Sequence, residues 1–312
     1  MCYNQNNIVV VGSSNIDLVI RAERLPKLGE TLIGESFKIG FGGKGANQAV
    51  MASKLKAGVS MVTKLGSDIF GKETLNNFKN FNINTNYVYF ADESTGVAPI
   101  FVDDKGNNFI VIVPGANWLL KPNDVKIARD LIATSNILIC QLEVPLETTL
   151  EALKIAKSAG ILTLFNPAPA RQLPSEIYRY VDIIAPNEVE AELLTGVDIN
   201  SVEDAKKAAF KLFEKGVKNV LITLGDKGAL SLENGNLNII PAINVKPVDT
   251  TGAGDAFIGA FAYRYVITKS LEDSVKFANV AAGLSVRKMG TQVSFPTLDE
   301  VTSYYRKLFG DL

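Results

Sequence analysis

Short apolar runs alternate with amphipathic stretches along most of this chain, and that alternation restricts the fold more than any other feature. Apolar, β-branched runs at 8–11, 59–64, 137–141, 161–165, 181–185 and 220–223 read as buried strands. Between and after them, 45–56, 70–80, 146–159, 187–194, 202–215 and 256–267 carry helical spacing. Strands that are apolar on both faces and separated by helices predict an α/β fold: a largely parallel central sheet with helices on both faces, in three layers. With 312 residues and 47% hydrophobic content, one such unit has ample core, and no repeat or linker divides it. Two stretches break the rhythm. Residues 18–39 and 96–113 read as hairpin strands, the second turning at Asp103-Asp104-Lys105-Gly106. They predict a small separate sheet over the core, a lid of about residues 17–41 and 95–114, with a longer loop as the alternative.

The chain has no histidine and two cysteines. Zinc sites built from Cys and His are excluded by count, as is a histidine base. Proton transfer near neutral pH then falls to a carboxylate, lysine, tyrosine or cysteine. Cys140 lies in an apolar run and reads as a small buried hydrophobe, and Cys2 stands beside the N-terminus. Net charge is −1 without blocks of like charge, which argues against nucleic acid or anionic lipid as a partner. No segment reads as a membrane span or a secretory leader, so the expected location is the cytoplasm.

The chemistry concentrates at Asp249-Thr250-Thr251-Gly252-Ala253-Gly254-Asp255, which runs directly into an apolar helix. Small residues there let consecutive backbone N–H groups converge at a helix N-terminus, a concave site for a phosphate or a developing oxyanion. Asp255 places a carboxylate beside it. A base next to an anion hole suits transfer of a phosphoryl group to a hydroxyl. The alternative is a tight turn with an N-capping aspartate.

Four other constellations follow strands or open helices. Gly12-Ser-Ser-Asn15-Ile-Asp17 offers an amide and a carboxylate two residues apart, suited to sugar hydroxyls, or an Asx turn. Gly40-Phe-Gly42-Gly43-Lys44-Gly45-Ala-Asn47-Gln-Ala49 is a glycine-rich helix entry, allowing close approach to a small polar ligand or acting as a hinge and cap. It fits neither a Walker A loop nor a dinucleotide fingerprint. Pro186-Asn187-Glu188-Val-Glu190 reads as a helix start, with Mg²⁺ handling through water as the functional alternative. Thr223-Leu-Gly225-Asp226-Lys-Gly228 could cradle nucleotide phosphates or ribose, or simply turn a hairpin.

Taken together, Gly42-Gly-Lys-Gly-Ala-Asn-Gln-Ala49 and Asp249-Thr-Thr-Gly-Ala-Gly-Asp255 resemble the two signatures of the ribokinase (PfkB-type) family of sugar kinases, in the family's order and across nearly the whole chain. Lys44, Gln141-Leu-Glu143-Val-Pro145, Asn166-Pro-Ala-Pro-Ala170 and Pro186-Asn-Glu resemble its ribokinase branch.

The resemblance implies a ribokinase-like fold with a β-sheet lid that also pairs two subunits into a homodimer. It implies ATP-dependent phosphorylation of D-ribose at O5. Asp255 would be the base, and the N–H groups of Ala253, Gly254 and Asp255, after the turn at Gly252, would form the anion hole. Asn15, Asp17, Gly43, Lys44, Asn47 and Glu143 would hold the sugar. Asn187, Thr223, Gly225, Asp226, Gly228, Gly254 and Asn279 would hold ATP, with Glu190 organising Mg²⁺ and phosphate. K⁺ would sit near Asp249, Thr251, Ser285, Lys288, Gly290 and Ser294. Two departures stand out: Lys56 replaces a usually small residue at a helix end, and Asn279 stands where ribokinases often carry histidine. Another small sugar or nucleoside (2-deoxyribose, fructose) is the alternative substrate, and a non-catalytic sugar sensor the alternative class. A nicotinamide dehydrogenase is disfavoured, because Gly12-Ser-Ser follows the first strand where Gly-x-Gly-x-x-Gly is needed.

Overall fold

The computed structural model describes residues 7–310, so Cys2 lies outside the described residues. In chain order the strands are β1 (Asn7–Val11), β2 (Asn15–Arg21), β3 (Ser36–Gly42), β4 (Gly58–Gly66), β5 (Asn84–Ala91), β6 (Gly96–Val102), β7 (Asn108–Ile110), β8 (Ile137–Cys140), β9 (Leu162–Phe165), β10 (Ile183–Ile184), β11 (Asn219–Thr223), β12 (Ala229–Glu233) and β13 (Asn236–Ile240). The α-helices are α1 (Lys44–Lys54), α2 (Ile69–Asn80), α3 (Pro122–Ile127), α4 (Arg129–Ala133), α5 (Leu146–Ser158), α6 (Glu188–Thr195), α7 (Val202–Glu214), α8 (Ala253–Thr268), α9 (Leu271–Ser285) and α10 (Leu298–Phe309).

Nine strands form one sheet in the order β13-β12-β11-β10-β9-β8-β1-β4-β5. The seven from β11 to β5 run parallel, and β12 and β13 close the other edge as antiparallel strands. Alternate residues of one strand feed two cores. Ile8 and Val10 of β1 pack with α1, α8, α9 and α10 on one face, and Val9 and Val11 pack with α3 to α7 on the other. This double burial is why the central strands read as unbroken apolar runs.

The run 181–185 yields only the two-residue β10, because the Asp182 N–H donates to Thr163 Oγ1 at 2.8 Å in place of a strand carbonyl; the Asp182 side chain is engaged too. Its Oδ2 accepts from Thr163 N at 3.1 Å, and its Oδ1 pairs with Lys157 Nζ at 2.5 Å. Lys56, just beyond α1, has φ +70°, a left-handed backbone that an L side chain adopts at a cost, which accounts for the small residue expected there. The second sheet has order β3-β2-β6-β7. The hairpin β6–β7 turns where expected, with Gly106 N donating to Asp103 O at 3.0 Å.

Two features of this frame bring the signatures together. The loops after β1, β8, β9, β10 and β11 all leave from the carboxyl ends of parallel strands, where ligands of open α/β sheets bind. Helices α1 and α8 also pack directly on one another, so closely that a Cβ on Gly259 would lie 2.6 Å from Gln48 O and 2.8 Å from Met51 Cβ.

Candidate active site

Helix α8 starts after Gly252, whose φ of +78° is open to glycine at little cost. Ala253 N donates to Thr250 O at 3.2 Å and Ala256 N to Gly252 O at 2.8 Å. Ala253 is therefore already engaged, and the first-turn N–H groups of Gly254 and Asp255 are the ones left to face the open turn. A Cβ on Gly254 would meet nothing within 4 Å, so packing does not require glycine there. Gly254 instead lines open space on two sides.

Asp255 is 7% exposed. Its Oδ2 accepts from Asn47 Nδ2 and its Oδ1 from Gln48 Nε2, both at 2.9 Å. Burial pushes its pKa up; Lys44 and the two amide donors pull it back, Glu143 pushes with burial, and the net shift is upward. Burial alone would lower Lys44, but Asp255, Glu143 and Glu190 together raise it and keep it cationic. Lys44, Asn166, Asn187, Glu190, Gly254 and Asp255 line a cavity of about 190 Å³.

Of the expected sugar-binding residues, Asp17, Lys44 and Asp255 line cavities, in two different spaces, and Asn15, Asn47 and Glu143 line neither. Asp17 lines a larger cavity of about 490 Å³ between the small sheet, α2 and the loop 289–293, while Lys44 and Asp255 line the smaller one. Burial, Glu143 and Asp255 push the Asp17 carboxyl up to about 7, against a small pull from Thr291. Glu143 Oε2 accepts from Ser13 Oγ at 2.6 Å and Lys44 N at 3.0 Å, pinning the start of α1 to the loop after β1. Asn15 Oδ1 accepts from Asn117 Nδ2 at 2.8 Å. Gly43 and Gly45 do not line either cavity. A Cβ at either would lie 2.7 Å from the backbone of Asn15 or Ser13, so these glycines admit the chain to itself rather than to a ligand.

On the nucleotide side, Asn187, Thr223, Gly225, Gly228, Gly254 and Asn279 line a cavity of about 350 Å³. Asn279 Nδ2 donates to Ile240 O at 3.0 Å and Pro241 O at 3.1 Å, which leaves Oδ1 as its acceptor. Asp226 is exposed and not among the residues lining that cavity. Asn187 and Glu190 form a reciprocal cap: Asn187 Oδ1 accepts from Glu190 N, and Glu190 accepts from Asn187 N and Nδ2. The helix-start reading therefore holds, and Glu190 faces the 190 Å³ cavity as well. Among the described residues no group of three or more Cys, Asp or Glu is placed to hold a metal. The residues suit a divalent ion carried mostly by water and phosphate, the habit of Mg²⁺.

Asp249 ties two loops together, accepting from Thr251 N at 3.0 Å and Gly290 N at 2.8 Å. Those bonds hold its pKa low despite burial. Ser294 Oγ donates to Thr291 O and Ser285 Oγ to Ala282 O, so both buried hydroxyls keep acceptor capacity. Lys288 points outward to Glu300 at 3.7 Å, leaving only its carbonyl for a cation. These oxygen-rich loops fit a weakly hydrated monovalent ion.

Sequence reasoning passed over several buried amides that build this site. Gln48, Gln141 and Asn166 stand inside motifs but received no role. Gln292 and Asn77 received no attention, although Asn77 lies on the buried face of α2, where a polar side chain is itself a signal.

A model of the pfkB family carbohydrate kinases matches residues 5–298. The chain is 46% identical to the ribokinase of Mus musculus over 93% of this chain and 91% of that protein. It is 44% identical to a deoxyribokinase of Salmonella typhi over 96% and 98%. The structure of Arabidopsis thaliana ribokinase complexed with ribose and ATP superposes with a TM-score of 0.90 at 34% identity, covering 96% of this chain and 99% of that one. With that family model matching nearly the whole length and relatives this similar, the chain belongs to the pfkB family of carbohydrate kinases, and the carboxylate of Asp255 at an open helix N-terminus stands where its two signatures meet.

Proposed function

We propose that this kinase transfers the γ-phosphoryl group of ATP to O5 of D-ribose, giving ribose 5-phosphate and ADP. The observation that carries the reading is Asp255, buried, raised in pKa and held by two amide donors at the open N-terminus of α8. Asp255 takes the proton from O5 as the O5–P bond forms and the bond from γ-phosphorus to the β-bridging oxygen breaks. The N–H groups of Gly254 and Asp255 receive charge on the transferring group, with Lys44 beside them. Glu190 and Asn187 would hold Mg²⁺ brought with ATP, and the ion would neutralise phosphate charge. Asp249 ties the loop that carries the anion hole to Gly290, and with Thr251, Ser285, Gly290 and Ser294 it would hold K⁺, which would brace that loop. Asp17, Asn15, Asn47 and Glu143 orient the sugar.

The 44% identity to a deoxyribokinase supports 2-deoxyribose as a second reading. ADP release measured with ribose, 2-deoxyribose, fructose and nucleosides separates the two. A kcat/KM for ribose below that for 2-deoxyribose defeats the first reading.

A cytoplasmic homodimer completes the proposal. No described helix is long and apolar enough to cross a membrane. In the small sheet, register puts Phe37, Ile20, Phe101 and Phe109 in one row, on the face opposite Asp17, Val19 and Arg21. Phe37 is 58% and Phe109 53% exposed, an apolar face suited to a second copy of the chain.

A further inference from the structure

A line of side-chain amides runs from α2 to the base. Asn77 Nδ2 donates to Gln292 Oε1 at 2.8 Å, Gln292 Nε2 to Asn47 Oδ1 at 3.0 Å, and Asn47 Nδ2 to Asp255 Oδ2 at 2.9 Å. All four residues are at most 9% exposed. The direction of the line has a chemical cause. An ionised carboxylate only accepts, so Asn47 must present its NH₂ to Asp255. Its oxygen then faces Gln292, which must present NH₂ in turn, and the oxygen of Gln292 faces Asn77. A second line reaches the other oxygen, from Gln141 Nε2 to Gln48 Oε1 at 2.6 Å and from Gln48 Nε2 to Asp255 Oδ1 at 2.9 Å.

We infer that Gln292 is a positioning residue for phosphoryl transfer: it holds the Asn47 amide with its NH₂ on Asp255 and so sets how readily Asp255 takes a proton, with Asn77 at the far end of the line. An Asn47 without a donor at its oxygen would hold its NH₂ on Asp255 less firmly. That would destabilise the carboxylate and leave Asp255 protonated to higher pH. The charged groups facing Asp255 are Lys44 from α1, Asp17 from β2, Glu143 after β8 and Glu190 from α6. None lies on the line, so it can be altered without touching them. The inference rests on Asp255 being the base.

The test is the pH profile of kcat at saturating sugar and ATP for three variants. Gln292→Met cannot donate to Asn47 and adds no charge. Asn77→Asp can only accept, so it turns Gln292 and, through it, Asn47. Asn77→Ala leaves the Gln292 donor in place. The acid limb should move to higher pH by about one unit in Q292M and N77D and stay within about 0.3 units in N77A. KM for ATP should hold in all three. A merely structural role predicts that N77A, which removes most atoms, is at least as perturbed as N77D. That outcome, or a limb unmoved in both Q292M and N77D, overturns the inference. If Q292M does not fold, Gln292→Leu, equally without a donor or a charge, takes its place. An Asp255→Asn enzyme that keeps more than a tenth of wild-type kcat defeats the base assignment instead; an inactive Asp255→Asn with unmoved limbs in the others defeats only the positioning role.

Discussion

Gln48 Nε2 lies 2.9 Å from Asp255 Oδ1 although 207 residues separate them in sequence. One belongs to the glycine-rich entry of α1 and the other to the first turn of α8. The bond means that the two signatures are parts of one site, with the amides of the first holding the carboxylate of the second. It also limits what a substitution at 255 disturbs, since an asparagine there can keep one of the two donors.

Asp255→Asn should therefore fold normally and bind sugar. Its kcat should fall by roughly two to four orders of magnitude, the usual worth of a general base. Stopped assays at saturating ribose and ATP, with the melting temperature as a control, test this. Retention of more than about a tenth of wild-type kcat removes Asp255 from that role.

Asp17 should make sugar affinity depend on pH. Its carboxyl sits at about 7, so it becomes an ionised acceptor only as pH rises through neutrality. KM for ribose should drop several-fold between pH 6 and 8, about one unit either side of that value, while KM for ATP stays level. Stability should move the other way. The folded-state value lies above the ordinary 3.8, so the unfolded chain ionises first. Stability fully present below about pH 4 is lost progressively up to about pH 7. Asp17→Asn should show neither trend. A wild-type KM that is flat with pH would place Asp17 outside the sugar pocket.

Asp249 organises two loops through Thr251 N and Gly290 N. Exchanging Na⁺ for K⁺ at constant ionic strength should raise kcat several-fold, and Asp249→Ala should abolish the difference. Equal rates in Na⁺, K⁺ and a bulky organic cation would leave Asp249 as a structural tie alone.

Phe109→Asp on the small sheet should convert a dimer to a monomer in sedimentation velocity. The residue is 53% exposed, so the folded monomer should tolerate the charge while an apolar interface would not. An unchanged sedimentation coefficient, whether monomer or dimer, would remove this face from the interface.

The central sheet was legible in the sequence because β1, β8, β9 and β11 are buried on both faces and must be apolar throughout. β5 was not, since it is an edge strand with a broken register beside Ser60 and polar residues at 84–86. Helix α9 hides for the opposite reason: it is buried nearly all round and shows no clear stripe. Helix α10 begins with Thr297 and Glu300 as a reciprocal cap, so its omission reflects no lack of local signal. At the site, residues in glycine-rich turns stood out by composition. Gln292 and Asn77 did not, because their meaning is a bond across 215 residues, which no local pattern encodes. Asp226 was the converse: it sat in a promising turn, and the fold leaves it exposed.

The bare Cα of Gly259 sets the spacing of the whole site. It lies one turn beyond Asp255 on α8, against the carbonyl of Gln48 on α1, where no methyl group fits. The distance from amide donor to carboxylate is thus gauged by the contact between two helices. One added carbon at position 259 would prise the helix that carries Asp255 away from the helix that carries Asn47 and Gln48.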